Sequence, residues 1–183
     1  MEVKSRKFEG VFEIVPKIFS DNRGSFVEIF KASELPEALR TINWVQENQS
    51  VSTFANTIRG LHFQIPPFEQ AKFVRVPKGS ILDIVVDLRK NSQTYGTWDA
   101  VEINSTIANS LFIPSGFAHG FRTLEPDTIV QYKVNNRYSK EMESGIIWSD
   151  LVLDIDWGVD APILSEKDLR LPTFEEFTSP FLI

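Results

Sequence analysis

A chain of 183 residues with 42% hydrophobic and 24% charged residues has room for one packed domain and too little polarity for wholesale disorder. Its formal net charge of −6 argues against a general nucleic-acid binder, and its lack of cysteine removes disulfides, thiol nucleophiles, zinc–thiolate centres and iron–sulfur clusters. No apolar run follows Met1–Lys7 as a secretion signal and no stretch reaches the length of a membrane span, so a cytoplasmic chain without membrane contact is expected. Fifteen phenylalanines suit a sheet-based core with aromatic-lined space.

In chain order, Phe8–Ile18 alternates in part and ends at the polar turn Ser20–Gly24; Ser25–Phe30 then resumes as a strand. Ser33–Arg40 reads as a short helix with Ser33 as cap, limited to one or two turns by Pro36. Trp44–Val51 and Thr57–Gln64 are strands, the second stopped by Pro66-Pro67. Ala71–Val76 and Ser80–Leu88 read as a hairpin through Pro77-Lys-Gly79, with Leu82, Ile84, Val86 and Leu88 on one face and Asp83 and Asp87 on the other. Trp98–Ile103, Leu111–Ile113, Phe117–Thr123, Thr128–Asn135 and a short Ile146–Trp148 complete the strands. Capping boxes at Ser165–Asp168 and Thr173–Glu176 signal helices near the end. Many short strands between close turns make the chain mainly β, an antiparallel sandwich or barrel. It forms one domain over 1–183, with a helical extension from about residue 165.

Chemistry concentrates around two histidines. In Thr57–Gln64, a strand puts Leu61 and Phe63 on one face and Gly60, His62 and Gln64 on the other. Arg59 then falls on the apolar face unless the strand begins or bulges near Gly60. His119 lies in a tight segment, Ile113-Pro-Ser-Gly-Phe-Ala-His-Gly-Phe121. A metal site needs about three ligands, yet there is no His-x-His and no third histidine; Glu69 or Glu28 would have to complete the set. Gly-x-Ser-x-Gly, the phosphate-cradling Gly-x-x-x-x-Gly-Lys loop and Gly-x-Gly-x-x-Gly are all missing. Acid–base chemistry without a cofactor is what remains.

Asp21–Glu28, Asn48-Gln-Ser50, Arg59–Gln64, Ala71-Lys72, Ile113–Phe121, Gln131-Tyr-Lys133, Gly145–Trp148, Ile155-Asp-Trp157 and Leu164–Asp168 follow in this order. Together they resemble the dTDP-4-dehydrorhamnose 3,5-epimerase family from about Phe8 to Pro172. The resemblance implies a cupin-like jelly roll, an antiparallel double sheet with short peripheral helices. It also implies a homodimer, no metal, no cofactor and no nucleic-acid partner. The implied substrate is a nucleotide diphospho-4-keto-6-deoxyhexose, and the implied activity is an isomerase that inverts C3 and C5 in making activated deoxysugars such as rhamnose for surface polysaccharide. The C4 ketone acidifies the C3 and C5 protons, but a gap of roughly ten pKa units to imidazole remains, about 14 kcal/mol. The enolate oxygen therefore has to be stabilised, and a proton has to return on the opposite face.

By the same resemblance, His62 is the base, Asp168 its carboxylate partner, Lys72 the enolate stabiliser and Tyr132 the acid, with His119 lining the pocket. Arg23, Glu28, Asn48, Gln49, Arg59, Glu143 and Lys167 match nucleotide- and substrate-gripping positions, where arginine forks suit phosphate. Phe19, Phe26 and Tyr138 are candidates to stack on the base or close the mouth. Read alone, each has a plainer role: Lys72 a surface charge, Tyr132 a core aromatic, Asp168 the acidic end of a cap, Arg23 part of a turn. Asn135-Asn-Arg137 and Ser139-Lys-Glu replace an expected acidic, proline-containing segment, which leaves open whether one carbon or both are inverted. The alternatives are a single-carbon epimerase on a GDP-, CDP- or dTDP-4-keto sugar or heptose, a metal-dependent cupin, and a non-catalytic sugar-binding barrel.

Overall fold

Thirteen short strands define the fold of the computed structural model, which describes residues 1–182. They are β1 (Glu2–Ser5), β2 (Phe12–Val15), β3 (Ile18–Asp21), β4 (Gly24–Val27), β5 (Gln46–Ser52), β6 (Ile58–Gln64), β7 (Lys72–Lys78), β8 (Ser80–Asp87), β9 (Trp98–Asn104), β10 (Ser110–Ile113), β11 (Phe117–Thr123), β12 (Thr128–Val134) and β13 (Glu143–Gly145). A six-stranded sheet runs β1-β2-β10-β7-β12-β5, and a five-stranded sheet runs β13-β6-β11-β8-β9. The ladders between these strands are antiparallel, and β3–β4 form a separate two-stranded hairpin. This is the antiparallel double sheet that the sequence led us to expect.

Three apolar clusters explain why so many strands are buried on both faces. Val74, Val76, Ile81, Val85, Leu111, Phe121 and Val130 meet between the sheets. The outer face of the five-stranded sheet packs Ile58, Leu61, Phe63, Ile84, Val86 and Leu88 against Leu153, Trp157 and Phe181 from the C-terminal segment. The outer face of the six-stranded sheet packs Phe73 and Phe112 under Leu35 and Leu39. Strand β8 shows the two-residue period at work: Ile81 and Val85 serve the first cluster, and Ile84, Val86 and Leu88 the second.

Several expectations need correction. The strands β7 and β8 exist but are not a hairpin: β7 pairs with β10 and β12, and β8 with β11 and β9. Gly79, at φ +82°, turns the chain through a corner from one sheet to the other, which a local turn signal cannot distinguish from a fold-back. The strand expected at Ile146–Trp148 lies earlier, at Glu143–Gly145. The Ser33–Arg40 helix divides into a 3₁₀ turn at Ala32–Glu34 and one α-helical turn, α1, at Glu37–Arg40, because Pro36 occupies its N-cap; Ser33 caps neither. The C-terminal extension is mostly irregular. Both capping boxes form their side-chain bonds, Asp168 N–H to Ser165 Oγ at 3.1 Å and Thr173 N–H to Glu176 Oε2 at 2.8 Å. Only a 3₁₀ turn at Asp168–Arg170 follows the first, and turns follow the second. Among the described residues, no helix is long and apolar enough to cross a membrane.

The misfit of Arg59 is resolved by a bulge. His62 pairs with His119 and Arg59 with Phe121, so three residue steps on β6 oppose two on β11. The extra residue reverses the parity, and Arg59 and His62 line the same cavity. Gly60 sits at φ +124°, and a Cβ there falls 2.5 Å from Gly120 Cα and 2.8 Å from the His119 carbonyl oxygen. Gly60→Ala is expected to destabilise the fold by about 1–3 kcal/mol through backbone strain and this clash. Urea unfolding measures it; a loss below a few tenths of a kcal/mol would show that the bulge does not depend on glycine.

Candidate active site

A cavity of about 530 Å³ opens between the two sheets. The five-stranded sheet supplies Arg59, His62 and Gln64 from β6 and His119 and Phe121 from β11. The six-stranded sheet supplies Lys72 from β7, Tyr132 from β12 and Gln46, Asn48 and Ser50 from β5. Tyr138, Glu143, Ser165, Lys167 and Asp168 form the rim and one side. On β5 and β12 the inward positions follow the two-residue period, Asn48 standing opposite Tyr132.

Two His–Asp pairs have different settings. His62 Nε2 lies 2.5 Å from Asp168 Oδ1. Burial pushes the Asp168 carboxyl up, but hydrogen bonds from His62 and Ser165 together outweigh burial and hold it below the usual carboxylate range. An ionised carboxylate only accepts, so Nε2 carries the proton and Nδ1 is left as the basic nitrogen of neutral His62. His119 Nε2 lies 2.9 Å from Asp83 Oδ2, and this pair is buried. Burial lowers the His119 pKa more than Asp83 raises it, which favours a neutral imidazole.

Lys72 is only 8% exposed and donates from Nζ to the His62 carbonyl oxygen at 3.2 Å. Burial brings its pKa down to about 8, against the opposing pull of Asp83 and Glu143. Burial also raises the Tyr132 pKa, with Arg59 opposing and Glu143 assisting, so the phenol holds its proton at neutral pH. At the rim, Glu143 Oε2 accepts from the Tyr138 hydroxyl at 3.0 Å and from Lys167 Nζ at 2.6 Å. Burial raises the Glu143 pKa, but the bonds from Lys167 and Tyr138 more than offset it and keep the carboxyl ionised.

Of the residues singled out in the sequence, His62, Lys72, Tyr132, Asp168, Asn48, Arg59, His119, Tyr138, Glu143 and Lys167 meet at this cavity. Others do not. Gln49 points to the opposite face of β5, where Gln131 Nε2 donates to it at 2.6 Å. Phe19, Arg23 and Phe26 lie on the β3–β4 hairpin around a separate depression, and Glu28 just beyond it is exposed. Asp83 and Ser165 were not singled out as site residues. The signal for Asp83 was an acidic residue facing inward between Ile81 and Val85; that for Ser165 was a cap whose hydroxyl also reaches the Asp168 carboxylate. Among the described residues, no group of three or more His, Asp or Glu side chains is gathered to hold a metal ion.

The sequence profile of the dTDP-4-dehydrorhamnose 3,5-epimerase family matches residues 5–176. A dTDP-4-dehydrorhamnose 3,5-epimerase of Shigella flexneri is 43% identical over 171 residues, covering 93% of this chain and 94% of the relative. Among solved structures, a dTDP-4-dehydrorhamnose 3,5-epimerase from Bacillus anthracis with TDP and pyrophosphate bound is 43% identical. It aligns with a TM-score of 0.91, covering 94% of this chain and 99% of that one. A dTDP-6-deoxy-D-glucose-3,5-epimerase from Legionella pneumophila in complex with dTDP-4-keto-L-rhamnose is 34% identical, with a TM-score of 0.89 and coverage of 97% and 94%.

Lys72 titrates at about 8 in the folded chain, whereas its ordinary value is 10.5. Between those pH values the unfolded chain binds more protons, so Lys72 adds stability as pH rises through the window and withdraws it as pH falls. The full difference is about 3 kcal/mol. Urea unfolding at several pH values from 7.5 to 10.5 is expected to show this rise relative to Lys72→Met; parallel curves for the two proteins would contradict the burial of the charge.

Proposed function

The chain belongs to the dTDP-4-dehydrorhamnose 3,5-epimerase family, and we propose that its cavity performs the reaction as follows. The protein is an isomerase acting on a dTDP-4-keto-6-deoxyhexose, and no resident cofactor enters the steps below. The observation that carries the reading is the position of base and acid on opposite walls. His62 stands on the five-stranded sheet and Tyr132 on the six-stranded sheet, facing one cavity. Inversion at carbon requires a proton to leave from one face and return on the other, and two facing sheets supply both faces.

In the proposed mechanism, Nδ1 of His62 removes the proton from the carbon next to the ketone, and the Asp168 carboxylate stabilises the imidazolium that forms. The electron pair moves into the carbonyl, giving an enolate whose oxygen takes the negative charge. Lys72, a cation held in low dielectric, stabilises that charge more strongly than it would in water. Tyr132 then protonates the carbon from the other side, and the phenolate and imidazolium are reset through solvent. Arg59, Asn48, Glu143 and Lys167 line the route for the nucleotide diphosphate, with Tyr138 at its mouth. Lys72 below pH 8 is charged and Tyr132 above its ordinary value remains protonated, so the two requirements overlap at neutral pH.

Arg23, Phe26 and Glu28 are family-matched ligand positions that lie away from this chain's cavity. Arg23 has a side chain 85% exposed, and Phe26 is 65% exposed. A hairpin outside both large sheets, with Phe19 and Phe26 exposed and Arg23 paired only with Asp21 of the same hairpin, suits insertion into the mouth of a second copy. We therefore assign the protein a homodimeric state in which each hairpin completes the partner's nucleotide site.

Incubation with dTDP-4-keto-6-deoxyglucose in deuterium oxide is expected to label C3 and C5 with inversion. His62→Asn lowers the rate by about 10²–10⁴, Tyr132→Phe leaves labelling but suppresses inversion, and the pH profile falls above about 8 from Lys72 rather than Tyr132. Labelling at one carbon alone would limit the activity to a single-carbon epimerase, and none with any nucleotide sugar would reject the reading.

The dimer assignment has its own test. Co-expression of Arg23→Glu with His62→Asn places both defects in one site of a mixed dimer and leaves the other intact. Activity is expected to reappear in the mixed dimer; its continued absence from a verified heterodimer would assign the hairpin to its own chain's site, and full activity of the Arg23→Glu homodimer would place it outside the site.

A further inference from the structure

Resting on the reading of His62 as the base, we propose that Ser165 is a positioning residue that fixes the Asp168 carboxylate and, through it, the protonation pattern of the His62 ring. The Ser165 hydroxyl makes two bonds at once. It donates to Asp168 Oδ2 at 2.9 Å and accepts from the Asp168 backbone N–H at 3.1 Å. Asp168 Oδ1 is left for His62 Nε2 at 2.5 Å. Each carboxylate oxygen thus has one partner, and the plane of the group is fixed from both ends.

The arrangement matters because Asp168 belongs to the C-terminal segment while His62 belongs to β6. Few regular hydrogen bonds hold Asp168 in register with the sheet: it opens a single 3₁₀ turn, which the Arg170 N–H closes on the Lys167 carbonyl at 3.1 Å, and the Leu169 N–H reaches back to the Ser165 carbonyl at 3.1 Å. Without the hydroxyl, the carboxylate of a 3₁₀ turn is free to rotate about its own bond. A rotated carboxylate selects the Nε2–H tautomer less strongly, so Nδ1 carries the proton more often and is available as a base less often. Groups that orient a catalytic or metal-bound histidine in this way typically matter by about ten- to a hundredfold. Ser165 is exposed while Asp168 is buried, so the hydroxyl reaches the carboxylate from its solvent side.

The test uses Ser165→Ala, Ser165→Gly and Ser165→Thr in the full-length chain. Glycine at a turn start costs only a few tenths of a kcal/mol relative to serine, so the glycine variant keeps the fold while removing the donor. Two quantities are measured: the rate of solvent-deuterium exchange into the 4-keto sugar, and the ring nitrogen signals of histidine in 15N NMR of ligand-free protein. The chain has only two histidines, so His119 is an internal control.

The alanine and glycine variants are expected to lose about ten- to a hundredfold in kcat with KM unchanged. Their His62 signals should move away from the Nε2–H pattern while those of His119 stay, and threonine should restore both. A wild-type kcat with unmoved His62 signals overturns the proposal. So does a change in KM alone, which would make the hydroxyl a substrate contact, or an equal movement of both histidines, which would make it a general structural tie. If the parent protein exchanges no nucleotide sugar, the reading of His62 as a base fails, yet the His62 signals still decide whether Ser165 sets the ring.

Discussion

The close approach of Gly60 to Gly120 is the contact on which the site depends. Two strands of the five-stranded sheet meet there with backbone where side chains would ordinarily lie, a Cβ at Gly120 falling 2.9 Å from the Arg59 carbonyl oxygen. That contact accommodates the extra residue in β6. With it, Arg59 and His62 face the cavity together although they are three residues apart; without it, strand alternation sends one of them to the outer core. The core beneath is indifferent to this arrangement, since Ile58, Leu61 and Phe63 fill the outer cluster around the bulge. Glycine here gives up backbone entropy so that a cation and an imidazole can share one wall.

Once the wall is set, the same low dielectric acts differently on each ionisable group. Burial depresses Lys72 and His119 and raises Tyr132, because in every case it penalises the charged form. Asp168 and Glu143 escape because hydrogen-bond donors surround them. The result is a cavity with fixed anions at its rim and side, a neutral imidazole within, a protonated phenol and an ammonium ready to lose its proton slightly above neutral pH. In the proposed reaction such a site meets the developing enolate with groups already held in place by their bonds.

The sequence carried much of this. Period-two alternation located most strands, and the antiparallel class followed. The histidines, Lys72, Tyr132 and Asp168 emerged from motif order, since on burial pattern alone Tyr132 is a core aromatic and Asp168 a cap. The misfit of Arg59 already pointed to a bulge near Gly60. What alternation could not give was which strands pair. The β7–β8 connection has the residues of a tight turn, yet both strands find partners in opposite sheets, and only the global packing decides between corner and hairpin. Helix ends were overread for a related reason. Ser165 and Thr173 make the bonds of helix starts, but the segments after them are held by tertiary contacts, with Asp150 accepting from the Phe174 N–H at 2.7 Å, and never gain a second turn. Position relative to the cavity was illegible for Gln49, whose face depends on register, and for the β3–β4 hairpin, which joins neither large sheet.

The rim bears on how many carbons one base can serve. A base on one wall and an acid on the other act at two carbons only if the sugar turns between them, and the segment from Asn135 to Glu143 contributes Tyr138 and Glu143 to the cavity in which it would turn. It lacks the prolines that would fix its backbone. Polar bonds tie it instead to the stretch following His62: Ala71 N–H to Asn135 Oδ1 at 2.8 Å, Gln70 Nε2 to the Asn136 carbonyl at 2.8 Å and Ser139 N–H to Gln64 Oε1 at 2.9 Å. A hydrogen bond of this kind nets only about 0.5–1.5 kcal/mol, so the loop is located without being frozen. Its placement is coupled to β6, because Gln64 is the last residue of the strand that bears His62. The other two ties reach Gln70 and Ala71, immediately before β7, and Asn135 itself follows β12, the strand that bears Tyr132. The rim therefore joins the sheet of His62 to the sheet of Tyr132, and in the proposed reaction it is the sugar, rather than the walls, that has to turn between two inversions by one pair of residues.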